Sequence, residues 1–334
     1  MPASVAVVIL NFNGRKWLEQ FLAGVISHSI SAQVIIADNA STDDSIAWLN
    51  IHYPTITVIP LSTNKGFCGG YNDALKKVSA DYFVLLNSDV EVTPGWLEPV
   101  IRLMESDLTI AAAQPKILSY HQREYFEYAG AAGGYVDLLG YPFCRGRIFD
   151  TVEKDEGQYD DTRRVFWATG ACLFVRAKAF AAMGGFDESF FAHMEEIDLC
   201  WRLQRSGYHV YYCSQSIVYH VGGGTLSASN PTKTFLNFRN GLSLLVKNLP
   251  FLSLTWKLPL RILLDWLAAI KFLADGSWPH CSAVLRAHVK FVSTLGSDWR
   301  KRDGRHSLPL PFYHRLLTID YFILGRKTYK QLNQ

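Results

Sequence analysis

The feature that most restricts the fold of this chain is the rhythm of its first third, where short apolar runs alternate with single helical patterns. Val5–Leu10 (VAVVIL) is continuously apolar, as a strand covered on both faces must be. Val34–Ala37, Ile56–Ile59, Tyr82–Leu86 and Ile110–Gln114 repeat that signal. Helices are expected between them: over Gly14–His28, where Trp17, Phe21, Leu22 and Val25 share a face, over Asp43–Asn50 with acid in its first turn, over Gly66–Val78, and from Pro94 to about Glu105. The order β-α-β-α-β-α-β calls for an α/β fold with a mostly parallel sheet and right-handed crossovers. Ligands of such sheets sit beyond the carboxyl ends of the strands. The residues that follow each strand are therefore where a site should lie.

Those residues are unusually polar and small. The first strand runs into Asn11-Phe12-Asn13-Gly14, the second into Asp38-Asn39-Ala40-Ser41-Thr42-Asp43, the third into Asn64-Lys65-Gly66-Phe67-Cys68-Gly69-Gly70-Tyr71-Asn72, and the fourth into Asn87-Ser88-Asp89. Any one of these alone is ordinary turn chemistry. Four in succession on one sheet edge instead suit a nucleotide: Asp accepts from a base N–H, amides donate and accept, and a Gly-rich stretch opening a helix offers free N–H groups to phosphate. Neither GxGxxG after the first strand nor GxxxxGK[ST] occurs, so a dinucleotide Rossmann site and a P-loop are both excluded.

Residues 120–165 are rich in Gly and aromatics and carry an acidic run, Glu153–Asp161, which fits an irregular or hairpin insert. Val165–Val175 resumes as a strand or strand-turn, Ala177–Met183 is a short helix stopped by Gly184-Gly185, and Met194–Ser206 is a helix capped by Gly207. Val210–Tyr212 and Ile217–Tyr219 read as short strands. After Gly222-Gly223-Gly224 the chain becomes basic and amphipathic, which divides it into residues 1–225 and a tail, 226–334. The chain is 49% hydrophobic and 19% charged, an ordinary globular balance. Its six cysteines show no CxxC spacing, against a zinc ribbon or disulfide framework. The opening MPASVAVVIL has no basic n-region, and a reducing, cytoplasmic setting is expected.

Taken together, VVILNFNG, IIADNASTDDS, NKGFCGGYNDAL, LLNSDVEV, TGACLFV and GGFDESFFAHMEEIDLCWRLQRSGY resemble the serial motifs of family 2 glycosyltransferases of the GT-A fold. The nearest likeness is to the rhamnosyltransferase-like branch that builds bacterial cell-surface polysaccharides. The resemblance spans about residues 4–225. It implies a nucleotide-sugar half, about 1–115, and an acceptor half, about 116–225. It places Asn11, Asn13, Asp38 and Asn39 around the base, and Asn64, Gly66 and Asn72 on the ribose and phosphate side. Asn87-Ser88-Asp89 occupies the place of the family's DxD motif. Asp89 would ligate a divalent cation, Mg²⁺ or Mn²⁺; Asn87 stands where many members have Asp and offers only a neutral oxygen. His220 resembles the late histidine that reaches the metal or diphosphate.

Sugar transfer needs a stabilised leaving group and a deprotonated acceptor hydroxyl, and a hard cation on oxygen ligands supplies the first. The second needs a carboxylate within hydrogen-bond reach of the acceptor. His193-Met194-Glu195-Glu196-Ile197-Asp198 provides three. By resemblance Glu196 ranks first as catalytic base and Glu195 second. On a helix Asp198 lies four residues before Arg202 and suits a structural brace. Trp167, Thr169 and Gly170 fall where the resemblance puts the acceptor wall; Trp167 could equally be a core residue. The expected activity is inverting transfer from a nucleotide-diphosphate sugar, dTDP-rhamnose as first choice, to a glycan or polyprenyl-linked acceptor in cell-envelope synthesis. The alternative is a nucleotide-sugar-binding protein or sugar nucleotidyltransferase, although Asn11–Lys16 lacks the Gly-, Arg- and Lys-rich loop of the latter.

The tail has a separate signature. Residues 226–334 hold 16 Lys and Arg, 5 Asp and no Glu. Such a balance suits an anionic surface, and since basic residues are interleaved with long apolar runs, nucleic acid is not the expected partner. Leu258–Ala274 is too short and too charged to span a bilayer. With Lys257, Arg261, Asp265 and Lys271 gathered on one arc it reads as a helix lying in the interface, its charges toward water. Arg300-Lys301-Arg302 and Arg305, beside Trp299 and His306, add a basic cluster suited to head groups. Peripheral attachment to the inner face of the cytoplasmic membrane is the expectation. The competing possibility is that the apolar face packs on the rest of the protein or on a second copy.

Overall fold

The computed structural model describes residues 3–222, 230–304 and 310–332. The expected alternation is present: β1 (Val5–Asn11), α1 (Arg15–Ser27), β2 (Gln33–Asp38), α2 (Ser45–His52), β3 (Thr57–Pro60), α3 (Gly66–Leu75) and β4 (Tyr82–Asn87). A short β5 (Val90–Val92), unforeseen from the sequence, precedes α4 (Leu97–Ser106) and β6 (Ile110–Ser119). The insert that follows carries a small antiparallel sheet of β7 (Gly134–Val136), β8 (Pro142–Cys144), β9 (Arg147–Ile148) and β10 (Thr151–Val152). The chain then forms β11 (Thr162–Arg164), β12 (Cys172–Arg176), α5 (Ala177–Ala182), α6 (Glu195–Arg205) and β13 (His209–His220). Where two short strands were expected, β13 is one long strand with register shifts on pairing with β6. The interruption is a bulge, which hides a continuous strand from a periodicity argument.

The main sheet runs β11-β13-β6-β12-β4-β1-β2-β3, with β5 on β13. Strands β4, β1, β2 and β3 are mutually parallel, while β12 is antiparallel to both neighbours. The parallel strands put Asn11, Asp38 and Asn87 at one edge, in register: Asn11 stands opposite Asp38, and Leu10 opposite Asn87.

The C-terminal region comprises α7 (Pro231–Asn248), α8 (Phe251–Ala274), α9 (Trp278–Arg300), α10 (Leu317–Phe322) and α11 (Tyr329–Leu332). It shares its interior with the sheet: Leu242, Leu244 and Leu245 of α7, with Phe291, Leu317 and Leu332, join the same apolar cluster as Phe166, Trp201 and Leu203. The orientation of α8 reverses the expectation. Lys257, Arg261 and Asp265 point inward and are buried, and only Lys271 of that arc reaches solvent. The cause is a buried polar knot. Arg261 Nε donates to Asp265 Oδ1 at 2.9 Å and the guanidinium lies 3.7 Å over the Tyr141 ring, whose hydroxyl donates to the same oxygen. Gly241 of α7 makes the room, since a Cβ there would stand 3.0 Å from the Arg261 guanidinium. The outward face is apolar: Trp256, Leu263, Trp266, Leu267, Ile270 and Leu273 are all about half exposed or more. Among the described residues no helix is long and apolar enough to cross a membrane. Arg305 and His306 of the basic cluster, and Gly223 and Gly224, lie outside the described residues.

Candidate active site

Three groups of residues converge beyond the strand ends. In the first, the Asn11 amide donates to Asp38 Oδ1 and Ser41 Oγ, both at 3.0 Å, and its own oxygen is buried with no partner. Gly14 leaves that oxygen its space, because a Cβ there would approach it to 2.5 Å. Asn13 (φ 51°) and Ala40 (φ 60°) hold left-handed conformations at the two turns. Strain of that kind in non-glycine residues costs about 1–3 kcal/mol and clusters at functional sites. Asn13 Oδ1 accepts from the Thr42 N–H at 2.7 Å, tying the β1 and β2 loops together. Asn39 donates to Asn64 Oδ1 and to the Gly66 carbonyl, both at 3.0 Å, and so links the second strand end to the third. Gly66 opens α3 at φ 69° with Phe191 packed against it. Asn72 departs from its expected role. Its amide donates to the Phe186 carbonyl at 2.9 Å and to Glu188, and it accepts from the Phe186 N–H. It fastens α3 to the segment preceding α6.

The second group surrounds Asp89. His220 Nε2 lies 3.2 Å from Asp89 Oδ1 and 3.5 Å from the Asn87 amide, and Val221 N–H donates to the Asp89 carbonyl. The register that places His220 opposite Val90 produces this encounter. Behind the imidazole, Glu127 Oε2 stands 3.4 Å from Nδ1. Burial opposes a charge on His220, but Glu127 and Asp89 outweigh it and raise its pKa to about 10, so a cation bound at Nε2 would have to displace a proton there. Glu127 comes from the irregular insert and no sequence signal marked it. These residues fit a divalent cation. Two donors about 2.1 Å from one octahedral ion stand about 3 Å apart, close to the separation of Asp89 Oδ1 and His220 Nε2, and a carboxylate behind a ligating histidine fixes its tautomer. Among the described residues no cluster of three or more His, Cys, Asp or Glu could hold a metal alone.

The third group is the first turn of α6. Glu195 is 4% exposed, and one carboxylate oxygen of Glu195 and one of Glu196 are buried with no partner. Desolvation pushes the Glu196 carboxyl up to about 7, and desolvation together with the neighbouring Glu196 charge pushes Glu195 well above the ordinary carboxylate range. Asp198 is the brace expected of it. Burial opposes its ionisation, yet Lys247 at 2.8 Å and Arg202 at 2.8 Å hold its pKa below the usual range. Cys68 N–H of α3 donates to the Phe191 carbonyl at 3.2 Å, so the first turn of α3 packs on the segment that leads into α6. Trp167 sits in the core: its indole N–H donates to the Tyr135 carbonyl at 2.9 Å and its ring fills the space beside Gly134. Thr169 is likewise committed: its hydroxyl donates to the Ala129 carbonyl at 2.6 Å and accepts from the Ala171 N–H at 3.2 Å, and Gly170 backs onto the Phe67 ring.

A mostly parallel sheet with β12 inserted antiparallel between β4 and β6, polar strand ends and a carboxylate-bearing helix whose lead-in packs on α3 together define a GT-A glycosyltransferase. The solved structures agree on the fold. GalNAc-T7 with UDP, GalNAc and Mn²⁺ superposes with a TM-score of 0.57 at 15% identity, covering 73% of this chain and 48% of that one. The mannosyltransferase PcManGT from Pyrobaculum calidifontis, in complex with GDP-Man and Mn²⁺, gives 0.51 at 12% identity over 87% and 88%. A family model described as glycosyl transferase family 2 matches residues 6–180, and the chain belongs to that family. It is similar to the N-acetylglucosaminyl-diphospho-decaprenol L-rhamnosyltransferase of Mycobacterium tuberculosis, 26% identical over 327 residues, which are 92% of this chain and 100% of the relative. Rhamnosyltransferase WbbL of Escherichia coli K12 is 24% identical over 221 residues, 62% of this chain and 80% of its own.

Proposed function

We propose that this glycosyltransferase moves a sugar, L-rhamnose as the first choice, from a nucleotide diphosphate to a glycan carried on a polyprenyl diphosphate, with inversion. The observation that carries the reading is the carboxylate pair of α6, each with one buried oxygen left without a partner, following a segment that packs on α3, together with Asp89 and His220 at the strand ends. Two rhamnosyltransferases among the relatives, one named for a decaprenol-linked substrate, support the choice of sugar and acceptor.

In this mechanism the loops after β1 and β2 hold the base through Asn11, Asn13, Asp38 and Asn39, while Asn64, Gly66 and the α3 N–H groups face ribose and phosphate. Asp89 and His220, with Asn87 and Ser88 beside them, would hold a Mg²⁺ or Mn²⁺ ion, which when bound neutralises charge developing on the leaving diphosphate. Glu196 takes the proton from the acceptor hydroxyl. Its raised pKa suits that task, because a base poised near neutrality both ionises and accepts. The acceptor oxygen then forms its bond to the anomeric carbon from the face opposite the breaking bond to the diphosphate.

The reading extends to the membrane. The outward face of α8 and α9 carries Trp256, Trp266, Trp278 and Trp299, all about half exposed. Lys271, Arg286, Lys290 and Arg300 of the same two helices are exposed as well, and a surface of this composition fits an anionic bilayer better than a second copy of an equally basic tail.

Incubating the purified protein with dTDP-rhamnose, UDP- and GDP-hexoses, a polyprenyl-diphosphate-linked acceptor and Mn²⁺ tests the proposal. The expected product is one glycosylated lipid of inverted anomeric configuration. Donor consumption without any glycosidic product would favour the nucleotidyltransferase alternative.

A further inference from the structure

The segment that delivers the catalytic carboxylates is held in a conformation it would not choose alone. Phe191 (φ 66°), His193 (φ 68°) and Met194 (φ 72°) are all left-handed, and none is glycine. Such a run persists only where its surroundings over-determine it. Neither Glu195 nor Glu196 is aimed by a side-chain hydrogen bond: one oxygen of each is orphaned, and the hydrogen bonds each carboxylate does take come from the backbone. The direction of the α6 first turn is therefore set by the backbone of residues 189–194.

That backbone is gripped by two adjacent residues of α7. Asn240, fully buried, directs its amide N–H₂ at three carbonyls, those of Phe190 (3.1 Å), Ala192 (2.9 Å) and His193 (2.7 Å). Arg239 donates from Nη1 to the Ser189 carbonyl at 2.6 Å and from Nη2 to the Phe190 carbonyl at 3.1 Å. A left-handed turn points successive carbonyls toward one side, and a buried carbonyl without a donor is costly. An amide suits the position because it donates twice from one short stem; the isosteric carboxylate of Asp donates nothing. Opposite, Asn72 and the Cys68 N–H of α3 hold residues 186 and 191 from the donor side.

We propose that Asn240, assisted by Arg239, is a positioning residue for the catalytic base, so that a helix of the C-terminal region completes the active site. The proposal rests on the reading of Glu196 or Glu195 as that base. It assigns the C-terminal region a part in turnover separate from any role at a membrane.

The test compares Asn240→Asp, Asn240→Ala and Arg239→Lys with a control on the same helix. Ser243→Ala removes a buried hydrogen bond to Asp298 (2.7 Å) that does not touch the segment. Turnover, its pH profile, calorimetric affinity for dTDP and UDP with Mn²⁺, and hydrogen exchange over residues 186–198 are measured on folded protein. Asn240→Asp should lower kcat at least 50-fold, leave diphosphate affinity within about twofold, displace the acidic limb of the pH profile and speed exchange in the segment. Ser243→Ala should leave all four within twofold, whatever it does to Tm. Should the Asn240 variants not fold, Arg239→Lys decides, with a kcat loss of about tenfold expected at unchanged affinity. A folded Asn240→Asp protein with kcat within threefold and an unaltered pH profile overturns the proposal, as does an unaffected Arg239→Lys where it is the deciding variant. Glu196→Gln and Glu195→Gln run in parallel, and full activity in both would remove the underlying reading instead.

Discussion

The strand-end edge of the sheet and the outer face of α8 use the same kinds of residue to opposite effect. At the sheet edge, polar side chains stand at the ends of apolar strands, and position in the chain alone tells which way they face. On α8 the charged arc is turned inward, knotted as Arg261, Asp265, Tyr141 and His288, while the apolar residues face outward. The difference teaches that amphipathicity identifies two faces of a helix without saying which is inside. A strand end is anchored by its sheet; a helix wheel is not.

If that contrast is right, mutations at the two places should fail in different ways. The largest effect belongs to Asp89→Ala, expected to abolish transfer at any metal concentration. Next comes Glu196→Gln, with kcat reduced about 10²–10⁴-fold and donor affinity unchanged, as for loss of a group used only in the transition state. Since the ionised carboxylate is the active form, parent kcat should rise with pH through about 7, and Glu196→Gln should lose that limb. Stability moves in the other direction. A carboxyl whose pKa is raised on folding weakens the fold as pH climbs from the ordinary carboxylate range through about 7, and Glu196→Gln should flatten that decline in a pH series of melts.

Variants on α8 should act on stability or on adsorption, with the chemistry intact. Asp265→Ala strands Arg261 in the interior and should cost about 3–5 kcal/mol in a denaturant titration. Lys271→Ala, on the same helix but in an exposed pair with Asp275, should leave the midpoint unchanged. Leu267→Glu with Ile270→Glu should keep Tm and diphosphate binding and weaken sedimentation with anionic vesicles several-fold. Equal vesicle binding by that double variant would return the face to the alternative of a second copy.

How much was legible follows from the same physics. The alternating elements through β6, the strand-end amides and the Asp198–Arg202 pair could be read directly, because each depends on sequence neighbours or on a sheet edge that topology alone defines. Glu127, Asn240 and Lys247 could not. They reach the site from an irregular insert and from a helix far along the chain, and an Asn or Lys in a helix carries no periodic mark of what it will touch. The use of Asn72 was not legible either, since the partner that claims its amide, the Phe186 backbone, is 114 residues away. The bulge in β13 hid a strand by breaking its period, and Trp167 could be assigned to the core only once Tyr135 and Gly134 were seen beneath it.

The most direct test of the account is calorimetric titration of dTDP, UDP and GDP into the parent protein and Asp89→Ala, each with and without Mn²⁺. The account predicts that at least one diphosphate binds the parent, at least tenfold more tightly with Mn²⁺, and that the metal increment disappears in Asp89→Ala. Diphosphate binding that is indifferent to metal, or equally enhanced by it in both proteins, would contradict the site described here.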